Sequence, residues 1–323
     1  MQIVVKKSAC QPAEWDRFAQ DAGASFRCAY RANAAWQFEF HLLHALKRLE
    51  IFEIGPGGTR KIGQCAVGIG RRRRVFADSL QIAPDRLASW PQAMAAVLRH
   101  LGRGEYVYGS AWSIEPCRHD ELSAISGTDI LEFAPTNIDV VDFALWEDFS
   151  SYLMATSRNV RRNIAKSAKA NQGAHTRFGR DLDLLFKLQG ARISTYSHKN
   201  LLQASKTRLL RSLYRSAVLW PLTEFGAIVG DGSALAAYGG IRFGRNTFYM
   251  EGGSRRPNHG AAWRLLMEAI ERAWQISDGR GLFVMGSDDR TQVGDSAWDG
   301  LAHSRRQCRI RCIETSTLRF RYE

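Results

Sequence analysis

The chain has 323 residues, enough for two medium domains with a sizeable core, and its 45% hydrophobic and 24% charged side chains are ordinary for a soluble globular protein. No apolar run approaches the ~18–20 residues that span a bilayer, and the opening MQIVVKKSACQPAEW lacks the ~7–15-residue apolar core of a secretory signal. The formal net charge of +13 is lopsided: from Ser151 onward 28 Lys and Arg face 14 Asp and Glu, whereas the first 150 residues hold 17 against 18. The second half is therefore expected to meet an anionic partner, and nucleic acid, a nucleotide cofactor, a phosphosugar and a membrane surface all satisfy that charge.

The N-terminus reads as a short opening strand. Trp15, Phe18 and Ala22 recur at helical spacing over Glu14–Ala22, and Trp36, Phe40, Leu43 and Leu46 do so over Asn33–Arg48, which predicts two amphipathic helices. The segment from Leu49 alternates as a strand, breaks at Gly55-Pro56-Gly57-Gly58 and resumes as further strands. The four arginines Arg71–Arg74 read as an exposed strand end or turn; no helix follows them, so they do not form a dinucleotide loop. A helix over Ser89–Leu101 is followed by the strand EYVYGSAWSI and then by a strand over Asn137–Leu145.

The second half opens with a helix around Trp146–Leu153 and continues into SRNVRRNIAKSAKANQG, Ser157–Gly173. On a helix, Arg158, Arg162, Lys166 and Lys169 share one face, and Val160, Ile164 and Ala168 lie on another. A charge run is commonly a solvated face, but such faces mix signs because like charges at i, i+4 repel by a few tenths of a kcal/mol. Five cations without an acid, Arg161 included, suit an anion, and arginine grips phosphate or carboxylate with two parallel hydrogen bonds. Further helices are expected over Asp181–Tyr196 and Lys206–Ala217, then three strands turning at Gly230-Asp231-Gly232 and at Gly244-Arg245. A helix over Gly260–Ile276 and the strand GLFVMGSDD complete the pattern.

The two hairpin regions superpose in sequence at an offset of 174: Gly58 falls on Gly232, Val67 on Ile241, Ile69 on Phe243, Gly70 on Gly244 and Arg71 on Arg245. Helices, three antiparallel strands, a helix and a strand thus occur twice, which predicts two similar α/β units, 1–145 and 146–323, each a mixed, mostly antiparallel sheet flanked by helices. Six scattered cysteines form no zinc framework; Cys308 and Cys312 are four apart with no second pair, so all read as reduced thiols of a cytoplasmic protein.

That order resembles a tandem GNAT N-acyltransferase fold of the Fem-type (FemAB-like) group and its bacterial acetyltransferase relatives. Ala24–Trp36 (ASFRCAYRANAAW) resembles the group's segment near the start of its first unit. Ser157, Arg161, Ile164 and Ala168 match the helix that opens its second, and YMEGGSRRPNHGAAWRLLMEAIERA and GLFVMGS resemble its central strand, donor helix and following strand. The resemblance implies that the second unit keeps the donor site while the first, decayed, helps shape the acceptor cleft. In that fold the central strand splays from its neighbour to admit acyl-CoA, whose pyrophosphate sits on the next helix N-terminus, where unpaired amides and a partial positive charge favour phosphate. Here the corresponding residues are Arg255, Arg256, Asn258, His259, Gly260 and Ala261, with asparagine where the usual Arg/Gln-x-x-Gly-x-Gly/Ala signature has its first glycine. The plainer reading is that Asn258 caps a core helix.

Acyl transfer to an amine needs a base for the amine and an acid for the leaving group. The resemblance implies a carboxylate on the central strands and a tyrosine. Glu251 is the expected base and Tyr249 the expected acid, on one face if the strand alternates regularly; Asp288, with Asp289, is the second candidate base. Arg158, Arg161 and Arg162 are the expected substrate-binding residues. The implied activity is transfer of an acyl group, with acetyl-CoA or another acyl-CoA as cosubstrate and no metal, to an amine of an amino sugar, amino acid or cell-envelope or polysaccharide precursor. An alternative keeps the fold and takes aminoacyl-tRNA as donor. A further one is a non-enzymatic basic protein binding nucleic acid or anionic surfaces.

Overall fold

The computed structural model of the protein describes residues 2–198, 202–288 and 303–323. In chain order its elements begin with β1 (Gln2–Lys7), α1 (Pro12–Asp21), α2 (Tyr30–Phe40), β2 (Ala45–Gly55), β3 (Gly58–Ile69), β4 (Arg73–Phe76) and β5 (Gln81–Ile82). They continue through α3 (Trp90–Leu101), β6 (Gly104–Tyr108), α4 (His119–Ser123), β7 (Thr128–Asp142), α5 (Phe149–Ala155) and α6 (Arg158–Ala170). Then come β8 (His175–Gly179), α7 (Leu182–His198), α8 (Leu202–Val218), β9 (Thr223–Gly230), β10 (Ser233–Phe243) and β11 (Asn246–Ser254). The chain closes with α9 (Ala261–Ser277), β12 (Leu282–Asp288) and β13 (Arg311–Tyr322).

The chain forms two compact units. The first comprises Met1–Ile138 and the final Ile313–Glu323; the second comprises Asp139–Gly286 and the segment that ends at Cys312. The expected boundary at 145/146 therefore moves, and the last strand leaves the second unit. The reason is pairing: Leu318–Tyr322 runs antiparallel to Gly104–Tyr108, so β13 closes the edge that β6 would otherwise expose.

Within the first unit the strands run β1-β2-β3-β4-β6-β13, with β5 paired to β3. The predicted helix over Asn33–Arg48 ends early. Its C-cap is His41, and the His44 amide donates to the His41 carbonyl at 2.8 Å, closing a tight turn before β2 begins at Ala45. From there ALKRLEIFEIG pairs with β1 on one side and β3 on the other, and two ladders outweigh the helical spacing of Leu43 and Leu46. The core gathers Trp90, Met94 and Val97 of α3 against Ile51, Ile62, Phe76 and Tyr106 of the sheet, all fully buried.

Within the second unit the strands run β12-β11-β10-β9-β8. The β9–β10 turn uses Asp231 and Gly232, both at positive φ, the requirement of a two-residue hairpin whose twist matches its strands. α9 lays Leu265, Ala269, Ile270 and Ala273 on one face of this sheet, against Ile228, Ala236, Tyr238 and Phe283. On another face Leu184, Leu188 and Ala191 of α7 meet Phe225, Ala227 and Ala237. Removing one such aromatic side chain from water stabilises the fold by about 2–3 kcal/mol, so these layers set the position of everything between them.

The same series occurs in both units. A hairpin (β2–β3, β9–β10) leads to a third strand (β4, β11), a helix (α3, α9) and a strand parallel to the third (β6, β12). β8 and β13 are additions that the sequence reading did not contain.

Candidate functional site

The second unit carries an opening between parallel strands. β11 and β12 are paired at Thr247↔Phe283 and Phe248↔Val284, and there their ladder stops: no further β11–β12 pair is found among the described residues. Two features of the chain accompany that stop. Gly286, two residues past the last pair, sits at φ 106, a left-handed conformation that kinks β12. In β11 the register against β10 slips, because Gly239 faces Glu251 and Gly240 faces Tyr249, leaving Met250 as an extra residue. This is a β-bulge, which bends the strand and resets its alternation.

The bulge separates the two residues expected to work together. Tyr249 lies on the α9 side, its ring 5.4 Å from Tyr238 and 6.4 Å from Phe283. Glu251 turns to the other side, where Ser212 of α8 donates to its carboxylate at 2.5 Å and Arg192 of α7 pairs with it at 2.8 Å. Arg215 adds a second ion pair at 3.2 Å, and Arg192 is itself held by the Gln189 amide oxygen and the Tyr196 hydroxyl. A carboxylate gripped by two guanidiniums and a hydroxyl is an anchor tying α7 and α8 to β11, although its charge still acts on the Tyr249 phenol. The expectation that Glu251 and Tyr249 share a face is corrected by the bulge.

Tyr249 is placed differently. Its hydroxyl has no hydrogen-bond partner among the described residues and lies over Gly252, where a Cβ would collide with it. Burial, partly countered by the nearby Arg305 guanidinium, pushes the Tyr249 phenol up to about 12, so it carries its proton throughout the neutral range. Arg305 was not anticipated. It is buried, donates to the Gly286 carbonyl at 3.3 Å and pairs with Asp139 at 3.3 Å, placing a fixed cation beside the kink. Nothing in the HSRRQC stretch distinguishes it from its exposed basic neighbours. Asp288 ends β12, but its side chain and the whole of Asp289 lie outside the described residues.

At the start of α9 the anion cradle is partly occupied. His259 and Gly260 adopt left-handed φ of 48 and 89, so the loop keeps the shape that the glycine-rich signature serves. Asn258 then turns back on it: its side-chain oxygen accepts from the Gly260 amide at 3.1 Å and its carbonyl accepts from the Ala261 amide at 2.8 Å. Two of the amides expected to face a donor's phosphates are thus bonded within the loop, but Asn258 is not the helix cap: Gly260 holds the N-cap position, without a side-chain capping bond. Arg255, Arg256 and His259 are exposed beside it.

α6 flanks this loop. The Asn163 carbonyl packs where a Gly260 Cβ would be, and the Asn171 amide donates to the Asn258 carbonyl at 3.3 Å. Ser157 caps the helix by accepting from the Val160 amide at 3.3 Å; Val160 is buried, while Ser167 rather than Ala168 completes the inner face. Arg158, Arg162, Lys166 and Lys169 form an exposed stripe, with Arg162 donating to the Asn159 side chain at 3.1 Å. Arg161 departs from expectation. Its guanidinium donates to the Met154 and Thr156 carbonyls, filling acceptors left open at the end of α5, so it serves the fold rather than a ligand.

The first unit has a corresponding opening. β4 and β6 are parallel through Val75↔Val107. A cavity of about 410 Å³ lies against them, lined by Trp36, His41, His44, Arg73, Phe76 and Ser110, among others. Ser110 donates to the buried Asp78, whose carboxyl is raised by burial, and the Cys28 thiol donates to the same carboxylate at 3.6 Å. Nearby, the Tyr108 hydroxyl donates to Glu115 at 2.7 Å and Arg118 pairs with it at 3.2 Å. Burial, opposed by those two contacts, pushes Glu115 up to about 7. The first unit thus contains a ligand-sized space, and the buried Asp78 lies behind the Ser110 that lines it. The offset of 174 sets Asp78 in register with Gly252.

Glu115 binds its proton more tightly folded than unfolded, so its contribution to stability is full below about 4.5 and is lost as pH rises through about 7. A shift of this size corresponds to up to about 3 kcal/mol. Denaturant titrations between these values should show stability falling with pH, and Glu115→Gln should flatten that slope; an unaltered slope would show that the group titrates normally.

No family profile and no curated protein sequence matches this chain. Its likeness is to solved structures. FemX matches with a TM-score of 0.71 at 9% identity, over 97% of this chain and 96% of that one. A conserved protein of unknown function from Bacteroides thetaiotaomicron matches at 0.63 and 11%, over 99% and 100%. L-PGS from Bacillus licheniformis matches at 0.52 and 10%, over 98% and 93%. The chain accordingly has a FemX-like fold, a mixed α/β architecture along its whole length.

Proposed function

We propose that this protein is an N-acyltransferase that moves an acyl group from an activated thioester or ester to an amine, with the reacting carbonyl seated between β11 and β12. The observation that carries this reading is a parallel ladder that stops beside a tyrosine hydroxyl that no described protein group engages. The amine nitrogen attacks the carbonyl carbon, a C–N bond forms, and the C–S or C–O bond to the carrier breaks. Tyr249 gives its proton to the departing sulfur or oxygen, and the proton shed by the amine restores it. Strand edges released from the ladder beyond Phe248 and Val284 can meet the charge developing on the carbonyl oxygen, and Arg305 adds a fixed positive charge near the opening.

In this reading the second unit holds the donor and the first shapes acceptor selection. The acceptor is an amine of an amino sugar, amino acid or envelope precursor, and acetyl-CoA is the first donor to test. One observation favours a second donor. Asn258 engages the Gly260 and Ala261 amides, which weakens a pyrophosphate cradle, while α6 presents four exposed cations along one face. An aminoacyl-tRNA would use that stripe and need less of the loop.

The deciding experiment offers acetyl-CoA with an amine panel, and charged tRNA with the same panel, at two salt concentrations. Thiol release that depends on amine, with a thermal shift on adding CoA, is expected for the first donor. Binding of tRNA that weakens steeply with salt, without a CoA shift, assigns the second. If neither donor is consumed with any amine, the transferase reading fails.

A further inference from the structure

The first unit carries a surface feature that acyl transfer does not require. Between Phe38 and Leu43 four large apolar side chains are exposed, Phe38 by 56%, Phe40 by 48%, Leu42 by 64% and Leu43 by 94%, with the Phe40 ring partly covered by the Arg27 guanidinium at 5.6 Å. Leu42 and Leu43 occupy the two central positions of the turn closed by His41 and His44. A second turn stands beside it. The Gly70 amide donates to the Arg73 carbonyl at 2.9 Å, so Arg71 and Arg72 form the tip of the β3–β4 hairpin, both exposed. The two tips are neighbours because Ala45 pairs with Ile69 and the His44 ring lies directly on Gly70.

We propose that these paired turns dock the protein on an anionic lipid bilayer, the leucines entering the interface and the arginines meeting the headgroup phosphates. Isolated exposed leucines are unremarkable, but adjacent Leu42 and Leu43 at one turn tip, with two exposed aromatic rings within the preceding four residues, concentrate apolar surface as interaction sites do. Neither Arg71 nor Arg72 has an ion-pair partner among the described residues; Arg73 is held at 3.5 Å by Glu105, and Arg31 and Lys47 add exposed cations to neighbouring elements. The acid nearest in sequence to the leucines is the partly buried Glu39. The cluster is local, because the first 150 residues as a whole carry 17 basic against 18 acidic side chains. Combined apolar and cationic groups favour a bilayer over RNA, since leucines contribute nothing to a phosphate-backbone contact. The contact would be peripheral: among the described residues no helix is long and apolar enough to cross a membrane.

The test is co-sedimentation of the full chain with vesicles of phosphatidylcholine alone and of phosphatidylcholine with about one-third phosphatidylglycerol. Partition onto the anionic vesicles is expected, with little onto the neutral ones. Leu42→Ser with Leu43→Ser keeps the charge and should weaken partition about tenfold or more. Arg71→Ser with Arg72→Ser should weaken it about tenfold and reduce its dependence on lipid charge. Both pairs lie at exposed turn centres, so an unchanged Tm is expected and confirms folding. Wild-type protein that stays in the supernatant, or a leucine variant that pellets like wild type, overturns the proposal. It is likewise overturned if the leucine variant changes only the mass in solution, which would mark contact between copies, or only tRNA retention.

Discussion

Tyr249→Phe is expected to lower turnover by roughly 10²-fold or more, with little change in Tm. The substitution removes one oxygen that no described group hydrogen-bonds and leaves the ring against Tyr238 and Phe283, so packing survives. What is lost is a proton positioned for the leaving atom. With the phenol held at about 12, wild-type turnover should show no loss from this group until strongly alkaline pH. Gly252→Ala provides an independent check, because the new Cβ would collide with the Tyr249 hydroxyl and swing it away while leaving its chemistry intact. Turnover should fall in both variants, measured with whichever donor the binding experiment selects. Full activity in Tyr249→Phe would remove the proton donor from the mechanism.

Glu251→Ala should destabilise the second unit by about 3–5 kcal/mol, a large share of the 5–15 kcal/mol that holds a typical domain together. It strips the counter-charge from Arg192, whose side chain is 5% exposed, and from Arg215, and leaves the Ser212 hydroxyl without its acceptor. Glu251→Gln keeps the volume and one acceptor oxygen, and a smaller loss of about 1–3 kcal/mol is expected by denaturant unfolding. The same variant separates anchor from base. If Glu251 holds α7 and α8 to the strand, folded Glu251→Gln turns over at close to the wild-type rate. A collapse of kcat in that folded variant, with the acid limb of the pH profile removed, would return the base to Glu251.

Much of the architecture was legible without coordinates. The 174-residue repeat of turn glycines announced two units of one design, and both hairpins lie where Gly55–Gly58 and Gly230–Gly232 place them. The helices over Trp90–Leu101 and Ala261–Ser277 followed from apolar period alone. Failures came where short-range pattern competes with long-range pairing. Leu43 and Leu46 continue a helical spacing, yet Ala45–Gly55 finds partners on both sides and becomes a strand. The strand β13 went unread because its partner, β6, lies more than two hundred residues earlier.

The amino-acid sequence by itself determined the repeated series of hairpin, third strand, helix and parallel strand, because periodicity and turn chemistry act between near neighbours; the tyrosine of the candidate site was implied only by the family resemblance. Only the tertiary structure decided which carboxylate faces what. One unpaired residue, Met250, turns Glu251 from the opening between β11 and β12 into a buried clamp for two arginines. Arg161 is spent on the end of α5, and Arg305 beside Gly286 is fixed by Asp139, 166 residues earlier in the chain. Such assignments depend on bulges, caps and pairings between distant segments, whose outcome is set by competition for partners across the whole fold.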